Sequence, residues 1–151
     1  LFEKEMTMKS LATTIFTSAI ITLFLSTQAL AQQTLPDYTK WNKVFDADNP
    51  AVHNGKDVSL HLEVYYNLDD DNLYRHAVVV IYDEQKRPWI FLYTRILLYR
   101  DGDKLVSAGV DNWLFEDSGK GPSFVKDFSQ SKDLQKETAD FLKSQYGLEL
   151  K

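Results

Sequence analysis

The 151 residues carry 17 Lys and Arg against 22 Asp and Glu, a formal net charge of −5 at pH 7, which argues against nucleic acid and anionic lipid as general partners. No cysteine is present, so there is no disulfide, no thiolate to bind metal and no lipid attached through sulfur. Apolar packing alone has to hold the fold.

Leu1 to Thr7 places Glu3 and Glu5 where an export signal requires positive charge, and reads as an untranslated or non-native leader. Residues 8–31 read as a cleavable signal peptide. Met8-Lys9 supplies the positive start, Leu11 to Leu25 the apolar stretch, and Ala29-Leu30-Ala31 the small residues before a cut at Gln32. The apolar stretch is shorter than the roughly 20 residues a membrane-spanning helix needs, so no stable anchor is expected after cleavage. Residues 32–151 then form a single exported domain, periplasmic or secreted, with all three Trp and all eight Tyr in it.

Tyr38, Trp41 and Phe45 recur at helical spacing behind Pro36-Asp37, which predicts a short helix from Pro36 to Val44. Asp46-Ala47-Asp48-Asn49-Pro50 reads as a turn, and His53-Asn54-Gly55-Lys56 as another. From Val58 to Leu68 apolar and polar residues alternate, giving a strand with a dry face and a wet one. Asp69 to Asn72 turns the chain into a second strand, Tyr74 to Tyr82, rich in β-branched residues. A polar loop, Asp83 to Pro88, leads to a third strand from Trp89 to Arg100.

Asp101-Gly102 predicts a two-residue type I′ turn, which would set Tyr99 opposite Lys104, Leu97 opposite Val106, Arg95 opposite Ala108 and Tyr93 opposite Val110. A fourth strand follows from Lys104 to Val110 or on to Phe115. Beyond a glycine-containing loop from Glu116 to Pro122, Ser131 is positioned to cap a helix from Lys132 to Tyr146, stopped by Gly147. Leu134, Thr138, Phe141, Leu142 and Gln145 line one stripe of it. Leu148 and Leu150 could add a terminal strand. The fold expected is therefore α+β: an antiparallel meander of four to five strands with a short N-terminal helix and a C-terminal helix. A small β-sandwich or barrel with an appended helix is the alternative.

The third strand is apolar on both faces: Ile90, Leu92, Ile96 and Leu98 on one, Trp89, Phe91, Tyr93, Arg95, Leu97 and Tyr99 on the other. One helix cannot cover both. Cover by the chain itself is the plainer solution, and an exposed binding surface the other. If a surface exists, Trp89, Phe91, Tyr93, Arg95 and Tyr99 are its candidates, because aromatics with an Arg make good interface anchors. The wet face of the strand from Val58, with His61, Glu63 and Tyr65, is the second candidate.

No catalytic residue, metal ligand set or cofactor is assigned. The acidic turns lack the spacing of a calcium loop, Ser118-Gly119-Lys120-Gly121 lacks the rest of a phosphate loop, and no Ser lies in a nucleophile elbow. His76 beside the valine run reads as a hydrogen-bonded sheet residue. The function expected is that of an exported, non-enzymatic binding protein acting through protein–protein contact. A carrier of a small apolar ligand is the alternative, then a small hydrolase or a structural envelope role; homodimerisation stays open.

Overall fold

A computed structural model describes residues 34–69 and 73–151. The leader and signal peptide expected over residues 1–31 lie outside the described residues, as do positions 70–72 of the acidic turn. After a single 3-10 turn, Tyr38–Lys40, the elements are β1 (Asn42–His53), β2 (Lys56–Asp69), β3 (Tyr74–Tyr82), β4 (Pro88–Asp101), β5 (Lys104–Asp117), β6 (Pro122–Asp127), α1 (Leu134–Tyr146) and β7 (Leu148–Leu150). They form one seven-stranded antiparallel sheet in the order β6-β5-β4-β3-β2-β1-β7, curled into a half-barrel with one C-terminal helix among the described residues.

The expected α+β meander of four to five strands with an N-terminal helix is thus corrected. Among the described residues there are seven strands and no N-terminal helix, only the 3-10 turn Tyr38–Lys40. Residues 36–44 fail as a helix because their backbone is claimed by pairing: from Asn42 onward the chain bonds to β2, and Trp41 is already extended. A helix this short has too few internal bonds to compete. The turn expected at Asp46 to Pro50 is the middle of β1, each of its residues paired with β2 between Glu63 and Ser59. Pro50 is tolerated because β1 lies near the sheet edge.

The hairpin that enforces this register turns through Asn54-Gly55, both at positive φ (51° and 78°), the backbone a type I′ turn demands. The β4–β5 hairpin turns one residue later than expected. Its central pair is Gly102-Asp103, closed by Asp101↔Lys104, so Tyr99 faces Val106, Leu97 faces Gly109, Arg95 faces Asp111 and Tyr93 faces Trp113. Gly102 alone of the central pair has positive φ, 60°, the signature of a type II′ turn with Gly first. Ser131 does not cap the helix: Asp133 does, accepting from the Lys136 N–H at 3.1 Å, while the Ser131 hydroxyl is buried without a partner. Gly147 ends the helix in the left-handed conformation.

The helix leaves one sheet edge at β6 and returns on the other as β7, so it must cross a face. Against that face Leu60, Ile81, Ile90, Leu114, Phe128, Leu142 and Leu148 form one core. On the other face Val78, Val80, Phe91, Tyr93 and Phe115 form a second, closed by Leu35, Tyr38 and Trp41 ahead of β1. Each fully buried Leu, Ile, Val or Phe contributes about 1.5 to 3 kcal/mol. The second layer that the two-faced strands required is therefore a strap of the chain's own N-terminal segment.

Candidate functional site

The five aromatic-face candidates are separated by this arrangement. Phe91 is 2% and Tyr93 9% exposed, under Tyr38 (ring centroids 6.0 Å from Phe91) and Trp41 (6.3 Å from Tyr93) respectively. Trp89 is the extra residue of a β-bulge, since Ile81 pairs with Ile90 but Tyr82 with Pro88. The bulge turns Trp89 toward the helix-bearing core, against Tyr146 at 5.6 Å and His53 at 5.3 Å. Arg95 donates to Asp111 at 2.7 and 3.1 Å and lies 5.2 Å from the ring centres of both Tyr74 and Trp113. Tyr99 is 46% exposed, beyond the strap. His76 shares a 2.9 Å hydrogen bond with the Tyr93 hydroxyl, and burial lowers its pKa.

The second candidate face is a connected polar cluster. Register brings Asp46 opposite Glu63 and Asp48 opposite His61. A bulge between Lys43 and Phe45 sets Lys43 on that same face, where its ammonium donates to Glu63 at 2.6 Å and Asp46 at 3.0 Å. His61 holds Asp48 through Nδ1 (2.9 Å) and Asp46 through Nε2 (3.1 Å). Glu63, 7% exposed, also accepts from the hydroxyls of Tyr65 (2.6 Å) and Tyr82 (2.7 Å).

Burial pushes the Glu63 carboxyl up, but hydrogen bonds from Lys43, Tyr65 and Tyr82 outweigh it and hold it at about 2. Burial and the Glu63 charge push the Tyr65 and Tyr82 hydroxyls up. Ligand atoms of Asp46, His61 and Glu63 lie within 4.8 Å of one another and could hold a metal ion. In the chain by itself the Lys43 ammonium supplies the cation between Asp46 and Glu63. Sequence reasoning found His61, Glu63 and Tyr65 but missed Lys43, Asp46 and Asp48, because that segment reads locally as a helix followed by a turn.

Two further features were not legible in the sequence. Beyond Leu97, where β3 ends its pairing with β4, the β4–β5 hairpin runs on as a two-stranded ribbon. Tyr99 (46%) and Leu105 (43%) are exposed on it and Leu97 (37%) and Val110 (41%) at its base, with Leu68 (43%) at the neighbouring end of β2, while Leu98 is buried. Neither α1 nor the strap packs against these residues. Separately, a cleft of about 580 Å³ opens between α1 and the sheet, lined by Val79, Leu92, Leu134, Thr138 and Leu148 among others. Among the described residues no helix is long and apolar enough to cross a membrane. The chain matches no protein-family model, no curated protein and no solved structure.

Proposed function

We propose that the protein is an exported, non-enzymatic binding protein that acts through protein–protein contact, with the β4–β5 ribbon as its contact surface. The observation that carries this reading is the exposed apolar set at one end of the sheet, Leu97 and Tyr99 on one face and Leu68, Leu105 and Val110 on the other, beyond both cores. Exposed apolar side chains grouped at one end of a sheet mark interaction surfaces. The ribbon also has the makeup of an interface, an apolar centre rimmed by Arg100, Asp101, Asp103 and Lys104 at its tip. Of the aromatic-face candidates, Tyr99 belongs to this surface.

The test compares wild type with Leu97→Ser/Tyr99→Ser as immobilised bait for the host's exported proteins. A protein retained by wild type and lost from the double variant, with both baits melting alike, supports the reading. Equal retention by the two sinks it. The cleft beneath α1 favours a second reading, a carrier of a small apolar ligand. A fluorescent fatty-acid analogue that binds wild type and loses affinity in Leu92→Gln, but not in the ribbon variant, would favour the carrier. Export rests on residues 8–31, and mass spectrometry of protein from a bacterial host should give a chain beginning at Gln32.

A further inference from the structure

An open sheet has two edges, each a row of unpaired backbone donors and acceptors, and proteins blunt such edges with charges, prolines and bulges. One edge here is treated that way. β7 joins β1 only at Ala51, Val52 and His53, and the rest of β1 carries Lys43, Asp46, Asp48, Pro50 and the bulge at Val44. At the other edge β6 pairs with β5 from Trp113 to Asp117, and Phe128 and Ser129 engage the backbone of Asn112. From Lys104 to Asp111, β5 has β4 on one side and no strand on the other among the described residues. That stretch has no proline and no charge between its two ends.

We propose that this edge pairs with the same edge of a second copy, antiparallel about a two-fold axis normal to the sheet between Ser107 and Ala108. The proposal rests on the reading of the ribbon as a contact surface and names its partner. In that register Lys104 faces the partner's Asp111, Leu105 faces the partner's Val110, and Val106 faces the partner's Gly109. Opposite charges meet at both ends, Lys104 joining the Arg95–Asp111 pair of the other copy, with uncharged residues between them. Lys104 has no ion pair or hydrogen bond from its side chain within the described chain.

The bulge in β5 is what makes the register work. Directly opposed residues must share a face, yet Leu105 and Val110 are an odd number of positions apart and would point to opposite faces of a regular strand. Pairing passes from Leu97↔Gly109 to Leu98↔Ser107, which leaves Ala108 as an extra residue. The extra residue restores the parity, so Leu105 and Val110 both lie on the helix-bearing face and Lys104 and Asp111 both on the other. The dimer is a continuous sheet across two chains, and its symmetry is isologous, as a two-fold requires.

Sedimentation velocity of the purified protein, over concentrations from micromolar to near millimolar, tests this without any other protein. Its outcome is therefore independent of whether Leu97 and Tyr99 retain a heterologous partner. Wild type should dimerise with concentration. Leu105→Lys/Val110→Lys places like charges opposite each other twice and should weaken the dimer at least about tenfold. Leu105→Lys/Val110→Glu places opposite charges there and should restore it in a salt-sensitive way. Both positions are exposed in the single chain, so thermal melts of the three proteins should agree. Lys104→Glu, which opposes the partner's Asp111, should weaken the dimer independently. A wild type that stays monomeric throughout overturns the proposal. So does a Lys/Glu variant as weak as the Lys/Lys variant, which would place the contact in another register.

Discussion

Glu63 sits where the β2 face turns from water toward core, opposite Asp46 and one strand from Tyr82. A nearly buried carboxylate is tolerated because each oxygen meets a donor: Oε1 the Lys43 ammonium, Oε2 the two phenols. Its pKa is held at about 2 against an ordinary 4.5, so the depressed group stabilises the fold above the ordinary value. That stability is lost as pH falls through the window between the two values. Glu63→Gln should cost about 1 to 3 kcal/mol at neutral pH and should lose less further stability on acidification than wild type. Urea unfolding at neutral and acidic pH checks both, and parallel pH curves for the two proteins would contradict the account. At Gly102 the positive φ of 60° is the requirement and space is not, since an added Cβ meets nothing within 4 Å. Gly102→Val should therefore destabilise by about 1 to 3 kcal/mol through backbone strain alone, read as a lowered melting temperature.

The strap from Leu35 to Trp41 decides the fate of the whole second face. Its Tyr38 ring lies 4.9 Å from Tyr65 and 6.0 Å from Phe91, and through it a strand that is apolar on both sides becomes core on both sides. Phe91→Ala should accordingly cost about 3 to 5 kcal/mol, the range for emptying a buried large aromatic. A urea midpoint unchanged by that substitution would mean that the strap does not close the face in solution. On the opposite face α1 contributes only Leu142 as a fully buried residue, with Leu134, Phe141 and Tyr146 packed partly against the sheet. That partial contact leaves the cleft beside it.

Among the described residues the sheet is longer than its covers. α1 and the strap pack against the two cores, and the β4–β5 ribbon extends past them with apolar residues on both faces and, among the described residues, no strand against the β5 edge from Lys104 to Asp111. Introducing polarity there should leave stability nearly unchanged while altering association. Leu97→Ser/Tyr99→Ser should melt within about 0.5 kcal/mol of wild type, the usual effect of a surface change. A larger loss would show that the ribbon is packed in the protein's own core.

What the sequence by itself determined is what local physics controls. Two-residue alternation placed β2, runs of β-branched and aromatic residues placed β3 and β4, Asn54-Gly55 placed a turn through its tolerance of positive φ, and Gly147 marked the end of α1. The wet face of β2 was legible for the same reason, so His61, Glu63 and Tyr65 could be named. Tertiary structure alone decided the rest. Asp46 to Pro50 carries every local sign of a turn, yet cross-strand hydrogen bonds to residues 59–63 hold it extended, and β6 is a strand because β5 offers it an edge. Of the four bulges in the sheet among the described residues, those at Val44, Trp89 and Ala108 set which face Lys43, Trp89 and Leu105 occupy. Each is an extra residue on one strand of a pair, a property of two segments together that neither carries alone.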